Sequence, residues 1–170
     1  MTGNQGSISQ EKKHDDNSLV QTGKYLTFAL GKEDYGLEIL KVREIIGMME
    51  ITKVPQVPKY VKGVINLRGK VIPVIDLRLK FGMDEIEYTA ETCIIVVTIN
   101  EILIGIIIDR VKEVLNINQE NIEPPPNFGS TINTEFILGI GKVSDSVKML
   151  LNIDKIVGED LTLIENQGAD

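Results

Sequence analysis

Residues 61–78 read VKGVINLRGKVIPVIDLR. Apolar residues fill most of 61–67 and 71–77, and most of them are β-branched, a shape that suits the pleated surface of a strand better than a helix interior. Between the two runs stand Arg68, Gly69 and Lys70, the polar and flexible residues of a turn. The stretch therefore reads as a β-hairpin. Pro73 supplies no ladder donor, which predicts an edge strand or a bulge for the second arm. Asn66, Leu67 and Arg68 set an amide, an aliphatic side chain and a guanidinium side by side, the mixture that protein interfaces favour.

Upstream, residues 25–30 read as a strand, 31–34 as a turn, and a second strand starts at Tyr35. Residues 37–46 fit either a short helix, through Leu37 and Leu40, or a strand that kinks and resumes at Glu44. A short helical turn is expected over 77–83, with Gly82 near its end. From Thr92 the pattern starts again. An offset of 69 positions lays Gly36 on Gly105, Val42 on Val111 and Glu44 on Glu113. Gly63 then falls on Gly139, and after a two-residue gap 71–76 falls on 149–154. The repeat predicts a doubled unit of about five strands. Five short strands bury too little surface alone, so two units should close into small barrels around a common core.

The expected fold class is mainly β. Two β-barrel lobes span about 23–90 and 91–155, with the exchange of strands between them left open. A helix over 154–164, capped by Asp154 and broken near Gly158, docks on them. Residues 1–22 have too little apolar content to order and read as a disordered tail, leaving a domain of 23–165 and a flexible end at 166–170. Residues 123–129, with three consecutive prolines, form a stiff link carrying Phe128, either as an anchor or as an exposed contact.

The 170-residue chain carries a net charge of −7, which opposes binding to nucleic acid and to anionic membranes. One cysteine, Cys93, excludes an internal disulfide and a cysteine metal cluster, and fits a reducing cytoplasm. No apolar run of signal-peptide length opens the chain, and none is long enough to span a bilayer. The only histidine, His14, lies in the tail, so imidazole catalysis is not available. Cys93 precedes an apolar run and reads as an inert small hydrophobe. Asp76, Asp109 and Asp154 each close an apolar run, and capping of a following helical turn outweighs a metal or acid–base role for them. No cofactor is expected. Glu44 and Arg68 invite a functional reading, because a guanidinium beside Gly69 is well placed at a turn to project its forked donors toward a carboxylate.

At these residues the chain becomes familiar. YGLEILKVREI at 35–45, GVINLRG at 63–69 and IPVIDLR at 72–78, in this order and spacing, resemble the bacterial chemotaxis coupling proteins of the CheW family. The likeness runs from about Tyr25 to the C-terminal helix. It implies two SH3-like five-stranded β-barrel subdomains packed around a shared hydrophobic core. It also implies an adaptor rather than an enzyme, one that couples the cytoplasmic tips of transmembrane chemoreceptors (methyl-accepting chemotaxis proteins) to the regulatory domain of the histidine kinase CheA in signalling arrays. The positions matching the family's receptor-binding groove are Val42, Glu44, Gly63, Asn66, Leu67 and Arg68, with Glu44 and Arg68 resembling the ion pair that shapes it. Those matching the kinase-binding surface are Tyr35, Leu37, Ile39 and Phe128. A cytoplasmic protein recruited to membrane-associated arrays follows, and the absence of an obvious coiled coil favours a monomer when isolated. The alternative is a CheW-like module of another chemotaxis scaffold, against which the early end of the chain speaks. A small β-barrel carboxylate enzyme lacks a paired histidine or a nucleophile.

Overall fold

The computed structural model describes residues 22–126 and 134–168, with side chains as far as residue 160. Residues 1–21 of the expected tail and Phe128 lie outside the described residues. The chain opens with a hairpin of β1 (Lys24–Leu30) and β2 (Glu33–Glu38), then a 3-10 turn (Ile39–Lys41) and β3 (Val42–Gly47). The choice over 37–46 thus resolves as a strand that kinks, resuming at Val42. The hairpin that opened the reading is β4 (Val61–Leu67) and β5 (Lys70–Asp76), followed by α1 (Leu77–Lys80). The second half supplies β6 (Cys93–Ile99), β7 (Ile102–Ile108), β8 (Arg110–Asn116), the two-residue β9 (Ile122–Glu123), β10 (Ile137–Val143), β11 (Ser146–Leu151) and α2 (Ile153–Gly168).

Two sheets form, ordered β8-β1-β2-β11-β10-β9 and β3-β6-β7-β5-β4. Apart from β9 the two orders are the same when strands are numbered within each half. Each half lends its opening hairpin to the sheet otherwise built by the other half. The strands are therefore exchanged, and the division near residue 90 marks the halves of the sequence rather than the lobes.

The repeat is confirmed, and its later register is corrected. Gly36 lies opposite Leu150 and Gly105 opposite Val74 in the two parallel ladders, as the offset of 69 requires. Beyond Gly63 the offset is 76 (139 − 63) without a gap. The carbonyls of Tyr60 and Phe136 accept from the amides of Asp76 and Asn152, both at 2.8 Å. Arg68 and Ser144 carry the left-handed turn residues, with φ of 51° and 53°. The counterpart of Asp76 is consequently Asn152, not Asp154. Asp76 accepts from the Leu79 amide at 3.3 Å and Asn152 Oδ1 from the Lys155 amide at 3.3 Å, so both cap the helix that follows. The aspartate-to-aspartate match misleads because an asparagine caps as well.

Each sheet closes with a short extended segment laid over a glycine. Thr52 and Val64 exchange two 2.9 Å backbone hydrogen bonds beside Gly63, and β9 pairs with Ile140 and Gly141 beside Gly139. A Cβ at Gly63 would stand 2.8 Å from the Thr52 carbonyl carbon, and one at Gly139 2.9 Å from the Glu123 oxygen.

The shared core lies between the sheets, where Phe28, Leu30, Ile95, Val97, Ile106, Ile156 and Val157 are fully or almost fully buried. A smaller core inside one lobe holds Ile65, Ile72, Val74, Ile94 and Val96, and another inside the second lobe holds Tyr25, Ile117 and Leu150. The run 94–97 shows no polar alternation because β6 faces a core on both sides. Each fully buried isoleucine or phenylalanine contributes about 2–3 kcal/mol. Pro73 lies on an interior strand, against expectation. Its antiparallel partner Val64 bonds Thr52 with both backbone groups, and the ladder to β7 starts only at Val74, so no donor is missed. α2 passes through Gly158 unbroken and reaches Gly168. Burial of Ile153, Ile156 and Val157 outweighs the roughly 1 kcal/mol cost of an internal glycine.

Asp34 on β2 pairs with Lys112 of β8 at 2.9 Å and with Lys148 of β11, pinning the exchanged hairpin into its sheet. Burial alone would raise its carboxyl pKa, but the two ammonium groups outweigh it and hold the group below the ordinary carboxylate value. A depressed native pKa gives stability that is present above the unfolded value, about pH 4, and is lost as pH falls through the native one. Lys148→Met will therefore lower stability by about 2 kcal/mol at neutral pH. In urea titrations across pH 2–7 the two curves should converge on the acid side.

Candidate docking surfaces

Glu44 projects from β3 and Arg68 from the β4–β5 turn, and the guanidinium Nη2 donates directly to Glu44 Oε1. The turn is built for this: Arg68 and Gly69 take φ of 51° and 87°, and Asn66 Oδ1 accepts from the Gly69 amide at 2.8 Å. Asn66 thus fixes the turn through its side chain. Leu67 is half-buried against the core inside this lobe, while Ile45 and Val71 are exposed nearby in sequence on β3 and β5. Arg68 remains 69% exposed, so its remaining donors are available to a partner. Val42 is half-buried against the shared core, and Gly63 is buried. Gly63 offers no surface of its own. It supports the turn by admitting Thr52, as Gly139 admits β9 in the other lobe.

The second set does not form one open surface. Tyr35 stacks on Phe28 at 5.9 Å and contacts Phe81 at 5.8 Å between ring centroids. With Phe81, Phe136 and Met149 it lines a cavity of about 370 Å³. Leu37 is fully buried in the shared core. Ile39, half-buried on the 3-10 turn, lines a different cavity of about 430 Å³ with Tyr25 and the exposed Leu40.

The three aspartates are engaged separately. Asp76 also accepts from Tyr88 Oη at 3.1 Å, and burial, with the Asp76 charge and this bond, raises the tyrosine's pKa. Asp109 does not cap a helical turn. It accepts from the Gly31 amide at 2.7 Å and pairs with Arg78 at 3.0 Å. Asp154 pairs with Lys41 at 3.0 Å. Among the described residues no group of three or more acidic, histidine or cysteine side chains is placed to hold a metal ion. Burial pushes the Cys93 thiol up, in keeping with an inert cysteine.

A CheW-like domain family model matches residues 24–160. The chain belongs to the CheW family. It is 39% identical over 144 residues to the chemotaxis protein CheW of Klebsiella aerogenes, covering 84% of this chain and 87% of that one. To its Helicobacter pylori namesake it is 38% identical over 156 residues, covering 92% and 93%. The crystal structure of the scaffolding protein TtCheW from Thermoanaerobacter tengcongensis superposes with a TM-score of 0.71 at 42% identity, covering 76% of this chain and 88% of that one. CheW is a chemotaxis scaffold family, and no helix among the described residues is long and apolar enough to cross a membrane.

One polar group of this CheW-family chain lies outside every motif that its sequence displays. Tyr60 precedes β4, Lys80 ends α1 and Asp160 lies on α2, and the three meet in the interior. The legible sign was Asp160 itself, which follows Ile153, Ile156 and Val157 at helical spacing and so sits on the apolar face.

Proposed function

We propose that this chain is the cytoplasmic adaptor that couples chemoreceptors to the histidine kinase CheA in membrane-associated arrays, and that it catalyses no reaction. The observation that carries this reading is the Glu44–Arg68 pair, held across β3 and the β4–β5 turn with the guanidinium still 69% exposed. A positioned, exposed guanidinium with half-buried Leu67 preceding it in the chain suits the side of a helical receptor hairpin. Glu44, Asn66, Leu67 and Arg68 make this contact, while Val42 and Gly63 hold the backbone beneath it. Tyr35 and Ile39, anchored through Leu37, belong to the kinase side together with Phe128. Two faces on a rigid body raise the effective concentration of kinase at receptor, so modest single affinities give a stable array. Receptor conformation then shifts the balance between kinase arrangements held through the adaptor. The isolated protein is a monomer in this reading.

The test is a titration of the protein against a soluble receptor fragment and, separately, against CheA. Arg68→Ala should weaken receptor binding about tenfold or more, the loss typical of an interface arginine, with kinase affinity unchanged. Unchanged receptor affinity would remove the turn from the docking surface.

A further inference from the structure

Asp160 is completely buried. Its Oδ1 accepts from Tyr60 Oη at 2.7 Å and lies 3.4 Å from Lys80 Nζ. Its Oδ2 lies 3.1 Å from the same ammonium but accepts no hydrogen bond, so that oxygen depends on the lysine's charge alone. Lys80, itself only 9% exposed, places its ammonium 4.3 Å from the centroid of the Tyr60 ring and 5.9 Å from that of Phe136. Burial and the Asp160 acceptor push the Tyr60 hydroxyl up to about 12, so it stays a donor.

The repeat shows that this group is not demanded by the fold. The offset of 76 carries Tyr60 to Phe136 and Lys80 to Ile156, so the phenol and the ammonium have apolar counterparts in the other half, while Asp160 falls on Asp84. Ile156 is fully buried there. A buried ion pair is commonly no more stabilising than an apolar replacement, and its better attested uses are fixing register and switching. This pair stands where α2 crosses the first half of the chain. Besides this pair, Ile153, Ile156 and Val157 hold α2 in the shared core, and among the described side chains, which reach residue 160, none from α2 enters the two cores inside the lobes.

We propose that Tyr60, Lys80 and Asp160 form a polar latch that fixes the register of the C-terminal helix and lets it detach while both sheets stay folded. Detachment bares Ile156 and Val157. It also frees the Lys80 ammonium at the wall of the cavity lined by Tyr35, Phe81 and Phe136. The fold then has a second state, with an apolar strip and a cation that the docked helix conceals.

Native-state hydrogen exchange on the full chain tests this, comparing amides of 153–168 with those of β6. In the wild type the α2 amides should exchange at least about tenfold faster than those of β6, the mark of a local opening. Lys80→Met leaves the carboxylate buried without its cation and should speed α2 about 100-fold further, with β6 changed less than tenfold. Tyr60→Phe, a milder change, should speed α2 about tenfold. The double variant Lys80→Met/Asp160→Leu should restore or exceed wild-type protection of α2. Parallel exchange of α2 and β6 in the wild type and in Tyr60→Phe, or a double variant as unprotected as Lys80→Met, would overturn the proposal.

Discussion

Gly63→Ala will lower the unfolding free energy by about 3 kcal/mol or more, and the melting temperature by about 10 °C. Two independent costs add at this position. Gly63 takes φ of 141°, a conformation that side-chain-bearing residues rarely adopt. Its Cβ would also press into the Thr52 carbonyl, a backbone group that cannot rotate away. The two costs can be separated by a control in the same hairpin. Gly69 also has a positive φ, 87°, but a Cβ there meets nothing within 4 Å, so Gly69→Ala reports backbone strain alone, about 1–2 kcal/mol. Denaturant unfolding of both variants should rank Gly63→Ala well above Gly69→Ala. Equal losses would mean that the segment carrying Thr52 yields easily and does not close the lobe. Because Gly63 is buried, any fall in partner binding by this variant should follow from the displaced 51–52 segment.

The β4–β5 hairpin was legible because a dense β-branched run, a positive-φ turn and a second run leave little else to form. The kink at 39–41 was not, since Leu37 and Leu40 fit a helix spacing while 44–46 fit a strand, and only the pairing of β3 with β6 decides. Of the proposed contacts, Glu44 and Arg68 could be matched in advance through the resemblance, and the structure brings them together across 24 residues of chain. Leu37 shows what pattern cannot give. Residues 35, 37 and 39 share one side of a strand on paper, yet the kink and the packing of the two sheets send them to a cavity wall, the core and a second cavity. Strand exchange was equally hidden, because β1 and β6 are both apolar and a period of two does not name a partner.

Neither half of the chain will fold by itself, and the halves will assemble when mixed. In residues 22–90 the β1–β2 hairpin loses β8 and β11, while β3 and β5 lose β6 and β7. Isolated hairpins are at best marginally stable. The symmetry does offer the fragment an escape, since β1–β2 could slip into the place of β6–β7 and close a single lobe of its own. Asp34 opposes this. In that arrangement it would take the position of Leu103, keep a cation only through Arg43 in the place of Lys112, and lose Lys148 for the equivalent Ile72, which is fully buried. A carboxylate that exchanges one of its two cations for an apolar neighbour is desolvated with less compensation, which disfavours this arrangement. Tyr25 would likewise replace Ile94 in a filled core, and overpacking there costs about 1–3 kcal/mol. The Asp34–Lys148 pair thus selects the exchanged fold as well as stabilising it. Fragments 22–90 and 91–170 should each lack cooperative thermal unfolding and regain it on mixing, whereas a cooperatively folded 22–90 would show that the exchange is dispensable. Asp34→Leu should weaken the intact protein yet allow the lone 22–90 fragment more structure, an opposition of sign that a merely stabilising ion pair would not produce.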